Sequence, residues 1–202
     1  MKDQESIWRS LVSEPHSLAK LNKVMWRVAN GLSEATGRRF NNDFPSVDRV
    51  PIAQVPVRAG GPEEKMVGVY LIIGGGLRGQ ALFILSMNGA LNLADLMLGN
   101  QPGVSTQLGV IERSALSELG NMALSYFLNG VASLDNMPDL LRPSPPAVMV
   151  DMLGAILNVV LTPVAAVRDD LLIIETAFSD SAKLVDGRFW VLPDPALKDL
   201  AS

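Results

Sequence analysis

The chain has 202 residues, 48% of them hydrophobic and 19% charged, which suits one packed core and excludes a wholly disordered chain. A formal net charge of −4 argues against a general nucleic-acid binder, whose phosphate contacts need clustered Lys and Arg. The absence of cysteine excludes disulfides, thiolate nucleophiles and Cys-ligated metals, and a single histidine, His16, excludes His-rich metal sites and most Ser-His catalysis.

The opening residues, MKDQESIWRSLVSEPHS, are polar and mixed in charge and carry no signal-peptide pattern. A first helix is expected over residues 17–36. Leu18, Leu21, Val24, Val28 and Leu32 recur there at steps of three and four, with Ser17 as N-cap and Gly37 as the stop. Next, FPSVDRVPIAQVPV carries Pro45, Pro51 and Pro56, which suit an edge strand or connector, and residues 59–65 read as a turn. Residues 66–73 and 80–86 read as an antiparallel hairpin across GGGLRG. A short helix follows near 90–98, and residues 100–103 break the chain.

A second long helix is expected over 109–134, with Leu116, Leu119, Ala123 and Phe127 as its buried stripe. The run LRPSPPAV, with Pro143, Pro145 and Pro146, reads as a loop. The apolar stretch 147–167 is interrupted by Asp151, Asn158 and Pro163. It reads as a buried core helix, placed at 148–157, followed by a strand, and not as a membrane span. After a turn at 168–170, strands are expected at 171–178 and 188–192 across SDSAKLVDG, and a short helix at 195–200 closes the chain.

The two halves, about 15–100 and 109–202, repeat one order: long helix, apolar middle, hairpin, short helix. Such a duplication within a single 1–202 domain implies a pseudo-two-fold α+β fold. Its mainly antiparallel sheet would carry the two long helices side by side on one face, polar sides outward. No nucleic-acid or membrane partner is expected, and the composition and start suit a cytoplasmic protein.

Gly74, Gly76 and Gly79 satisfy G-x-G-x-x-G, but QALFILS after them is a strand. A phosphate cradle needs a helix N-terminus there, so the glycines are read as a hairpin turn. His16 has no paired acid or second His and is read as a loop residue. In ERSALSELGNMALSYFLNG, residues Ser114, Glu118 and Asn121 stand at i, i+4 and i+7 and share one helical face, which Ser125 and Asn129 extend. Periodicity alone also permits an ordinary solvated face.

The run S-A-L-S-E-L-G-N resembles the signature helix of the CheC/CheX/FliY phosphatases: Asp or Ser, three residues, Glu, two residues, Asn, then a proline one loop later. A strict count puts that proline at Ser144, flanked by Pro143 and Pro145. PPAVMVDMLGAIL, VGVYLII with ALFIL, and FWVLPD are similar to CheC proteins as well. The resemblance implies a protein-aspartyl-phosphate phosphatase acting on a phosphorylated CheY-like response regulator. Asn121 would orient the attacking water, Glu118 would pair with a Lys of the regulator, and Ser114 would help docking. It implies no cofactor of its own, Mg²⁺ being carried by the regulator.

CheC proteins often carry the signature twice. Aligning the first helix puts Asn22 at the Asn position, Ala19 at the Glu position and Pro15 at the Ser position, with Trp26 one turn further, so the first site is expected to be degenerate. The resemblance also makes Asp151, on the helix expected after the proline loop, a candidate surface for CheD. The other reading of Asp151 is a charge favoured by the helix dipole. The alternative function is a catalytically idle module that binds the response regulator or CheD.

Overall fold

The computed structural model describes residues 4–14, 16–135, 142–197 and 200. An amphipathic helix α1 (Gln4–Val12), which the polar start did not suggest, buries Ile7, Trp8 and Leu11. Its Trp8 indole N–H donates to the Arg78 carbonyl at 3.0 Å. Helix α2 (Ser17–Thr36) has the expected span and ends at Gly37 in the left-handed region (φ 66°). Its N-cap is His16, not Ser17. His16 is itself left-handed (φ 68°) and gives no side-chain cap, because the chain reverses there between α1 and α2.

Two short strands follow, β1 (Phe40–Asn42) and β2 (Ser46–Pro51). A 3₁₀ turn (Ile52–Gln54) then runs into a four-residue helix α3 (Val55–Arg58). The expected hairpin is β3 (Lys65–Gly74) and β4 (Gly79–Ser86), paired from Met66↔Ser86 to Ile73↔Gly79. The Gly74–Gly79 segment is the turn between them. Ser86 then caps α4 (Met87–Met97) by accepting from the Gly89 N–H.

The second half comprises α5 (Val110–Asp135), β5 (Arg142–Pro143), β6 (Ala147–Met152), α6 (Leu153–Ala165), β7 (Asp170–Asp180) and β8 (Asp186–Pro193). The apolar run 147–167 is thus strand then helix, the reverse of the expected order. Val148 and Val150 pack on one face of the sheet and Met149 on the other, so the segment has no polar side to betray a period of two. Glu64 and Pro62 carbonyls accept the first two N–H groups of α6 at 2.8 and 2.9 Å, which ends the strand. At the far end the expected C-terminal helix is not seen in the described residues: Pro195 and Ala196 form a turn, Leu197 and Leu200 are not helical, and 198–199 lie outside the described residues.

All sheet pairings are antiparallel. The order is β1 and β2 beside β7, then β8, β4 and β3, then β5 and β6 beside β3. It reads alike from either end, and each hairpin takes its outer strands from the other half of the chain. The halves therefore share one core.

Alternation splits the sheet's side chains between two layers. Val67, Val69, Leu71, Ile73, Phe83 and Phe189 face α1, α2, α4 and α5. Leu82, Ile84, Ile173, Trp190 and Leu192 face α6 and the α3 region. The two long helices do lie on one face, as expected, and α6 covers the other. On the α6 side, Arg58 donates to Asp48 at 2.5 Å and Glu175 at 3.2 Å, tying α3 to β2 and β7.

Candidate functional site

Helix α5 is held against the sheet by Leu116, Leu119, Ala123, Leu124, Phe127 and Val131, all fully buried. Phe127 meets Phe189 of β8 edge-on at 6.1 Å. Gly120 brings the helix close to β3, since a Cβ there would lie 2.5 Å from Val69 Cγ1. On its flank, α5 packs against α2. A Cβ on Gly31 would enter the Tyr126 ring, and one on Gly130 would lie 2.9 Å from Val24 Cγ1. Both glycines are therefore needed for the close approach. Val24 meets Gly130 and Gly31 meets Tyr126, so the helices run antiparallel. Arg27 donates to Ser133 at 2.9 Å across the same seam.

The segment entering α5 is fixed by a buried carboxylate. Asp95 of α4 is fully buried, and its oxygens accept from the N–H groups of Gly103, Val104 and Ser105 at 2.9 to 3.1 Å. Burial pushes a carboxyl pKa up, but these hydrogen bonds outweigh it and hold Asp95 below the usual carboxylate range. Arg113 then donates to the Leu108 and Val148 carbonyls at 3.1 and 3.3 Å, pinning the first turn of α5 to β6.

On the outward side of α5, Ser114 and Glu118 are exposed and Asn121 is half-buried. None of the three side chains makes a hydrogen bond or ion pair within the described residues. A carboxylate and a carboxamide are thus offered to solvent one turn apart, on a helix whose other faces are immobilised. Ser125 and Asn129 continue this polar line.

The corresponding face of α2 differs. Asn22 is half-buried and engaged: its Oδ1 accepts from Asn42 Nδ2 of β1 at 3.2 Å. Ala19 is exposed and brings no charge, Trp26 is 60% exposed, and Pro15 lies outside the described residues. Gly31 stands nine residues after Asn22 and Gly130 nine after Asn121, which supports that alignment of the helices.

Asp151 is not on a helix. It lies in β6, paired with Met66, two residues before α6 begins, and its Oδ1 accepts from the Met152 N–H at 2.7 Å. By strand alternation it shares the α6 side of the sheet with Met149, opposite to Asn121. Of the loop prolines, Pro143 alone is in a strand. It pairs with Ile73 and so shares that residue's side of the sheet, the side carrying α5. Ser144 is fixed by hydrogen bonds in both directions with Ile72.

Sequence reading missed Asp95, Asn42 and the exposed apolar pair Val110 and Ile111. Asp95 did leave a signal, being the sole charge in the apolar run ALNLADLMLG. Among the described residues no group of His, Asp and Glu could hold a metal ion, and no helix is long and apolar enough to cross a membrane.

This layered sheet, with its outer strands exchanged and two antiparallel helices on one side, defines the CheC/CheX/FliY type of fold. The crystal structure of Thermotoga maritima FliY matches it with a TM-score of 0.70 at 23% identity, over 91% of this chain and 90% of that one. CheX from Borrelia burgdorferi, in a complex with CheY, BeF3 and magnesium, matches with a TM-score of 0.58 at 12% identity, over 88% and 99%. A FliM middle domain shares the fold as well (TM-score 0.61, 10% identity, over 91% and 99%), so the fold alone does not carry a chemistry. No family model matches the sequence. The CheY-P phosphatase CheC of Bacillus subtilis is 25% identical over 170 residues, 82% of this chain and 80% of that protein. The chain is thus similar over most of its length to a CheC protein and has the fold of FliY and CheX.

Proposed function

We propose that the chain is a phosphatase of aspartyl phosphate on a CheY-like response regulator, with its working site on α5. The carrying observation is the pair Glu118 and Asn121, outward, one turn apart and unpaired. Water attacks the phosphorus, the bond to the aspartyl oxygen breaks, and the products are the free carboxylate and inorganic phosphate. Such a displacement needs an in-line water and charge stabilisation, with little covalent help.

Asn121 fits the first need. Its carboxamide oxygen accepts from water without the repulsion that a second carboxylate would suffer beside phosphate. Glu118, with no cation of its own, is available to a Lys of the regulator and fixes the helix in register. Ser114 is a peripheral contact. The Mg²⁺ belongs to the regulator, and the chain needs no cofactor. The relationship to CheC and the CheY-bound state of the CheX relative support the choice of partner. A CheY-like substrate places the protein in the cytoplasm. A CheD-type partner that used Asp151 would approach the opposite side of the sheet, so both could be held at once.

The test is phosphate release from phosphorylated CheY-type regulators, with and without the protein. Asn121→Ala should lower the stimulated rate by about 100-fold with an unchanged circular dichroism spectrum. Full activity in that variant refutes the site. A wild-type protein that binds the phosphorylated regulator without speeding phosphate loss is the idle module instead.

A further inference from the structure

We propose that Ile111, supported by Val110, is the docking determinant by which α5 grips the receiver domain of the phosphorylated regulator. This rests on the function proposed above. Val110 is 86% exposed and Ile111 65% exposed. Two adjacent β-branched apolar side chains in the first turn of a helix stand in water, although the rest of the outward face is polar.

Position makes them part of the site. Ile111, Ser114, Glu118 and Asn121 fall at i, i+3, i+7 and i+10, within about a quarter turn of one another at 3.6 residues per turn. Ile111 lies roughly 15 Å along the axis from Asn121 at 1.5 Å per residue. A standard interface of about 800 Å² per partner is on the order of 30 Å across. A receiver seated over Glu118 and Asn121 therefore reaches Ile111. In the other direction the face continues as Ser125 and Asn129, so the site is apolar at one end and polar at the other.

The patch is also held ready. Asp95 ties down residues 103–105, and Arg113 pins the first turn through the Leu108 and Val148 carbonyls. Little ordering is left to be lost on binding, and a preorganised apolar anchor beside a polar reactive centre is how a few residues come to dominate an interface. The occupant is one receiver domain whose surface beside the phosphorylated aspartate is apolar. Ile111 sets affinity and the choice among receivers, and leaves the chemical step to Asn121.

The experiment uses the full chain and a CheY-type receiver activated with beryllofluoride for binding, or phosphorylated for turnover. Ile111→Ser should raise Kd and KM about tenfold or more with kcat within twofold, and Ile111→Leu should restore both. Asn121→Ala, in the same assays, should keep Kd and lose kcat. Unchanged Kd and KM in Ile111→Ser overturn the proposal, as does a loss confined to kcat. A wild-type dimer that Ile111→Ser dissociates without changing Kd also overturns it, making the patch a self-association surface. If Asn121→Ala is fully active while Ile111→Ser still weakens binding, the docking role stands and the catalytic assignment falls.

Discussion

Replacing Asp95 tests whether a buried carboxylate anchors the entry to α5. In Asp95→Ala the N–H groups of Gly103, Val104 and Ser105 lose their acceptor. Hydrogen bonds to a charged group contribute about 1.5–3 kcal/mol each, and a buried donor left without a partner costs about 1–3 kcal/mol. Water can reach part of a freed loop, and ionising a buried carboxyl carries its own cost, so the net loss falls near 3 kcal/mol. For a chain of this size that is a fall in Tm of about 6–12 °C. Asp95→Asn keeps one acceptor and turns an NH₂ toward the donors, so about half that loss is expected. The pH dependence carries the sign. The folded pKa of Asp95 is depressed, so its stabilisation is fully present above the unfolded carboxylate value, about 3.9, and is lost as pH falls through the folded value. Urea melts from pH 7 to pH 3 should show a gap between wild type and Asp95→Ala that narrows on the acid side. A loss under about 1 kcal/mol at pH 7, or a gap that widens in acid, refutes the reasoning.

Asn22→Ala should leave phosphate release within twofold of wild type and cost about 1 kcal/mol or less in urea melts, because Asn42 already occupies its oxygen and Ala19 supplies no carboxylate. A large loss of turnover would give the first half an active site. Gly31→Ala puts a methyl group into the Tyr126 ring and forces that side chain away from Glu34, its partner at 3.4 Å. A destabilisation of about 1–3 kcal/mol is expected, read as a lower Tm, and no change would mean that the α2–α5 seam is looser than described.

What could be read from sequence was what a single period encodes. Helices α2 and α5 were legible because each has one apolar face repeating at 3.6 residues, and the hairpins β3–β4 and β7–β8 because short apolar runs of strand length are bounded by turn residues. Helix α1 was hidden because only Ile7, Trp8, Leu11 and Val12 interrupt a polar segment. Residues 148–152 were read as helix because strand β6 packs on both sides and shows no single apolar face, so of the expected helix 148–157 only 153–157 is helical, at the start of α6. Strands β1 and β5 are too short to show a pattern and exist only through pairing with β7 and β3. Which half lends its outer strands to which hairpin is a long-range fact that no local pattern carries. At the site, the outward line Ser114, Glu118 and Asn121 followed from spacing. The side of the sheet occupied by Asp151 did not, because it depends on strand parity in a segment read as helix.

The two long helices show why a fold and its chemistry separate. Both keep a glycine nine residues after an asparagine, and both need it for the same close crossing, so the backbone under Asn22 and under Asn121 is set by the same packing constraint. The difference lies in what surrounds each amide. On α2 a neighbouring strand end supplies an amide donor, Asn42, which takes up the oxygen, and the residue one turn earlier is Ala19. On α5 the strand end facing the helix layer is Pro143, which has no side-chain donor, and the residue one turn earlier is Glu118. Orienting a water demands an acceptor with nothing else bound to it, and seating a cationic partner demands a carboxylate with no cation of its own. Packing alone can preserve a helix in this fold. It cannot preserve those two vacancies, and among the described residues they occur together at Glu118 and Asn121 of α5 and are both missing at the aligned Ala19 and Asn22 of α2.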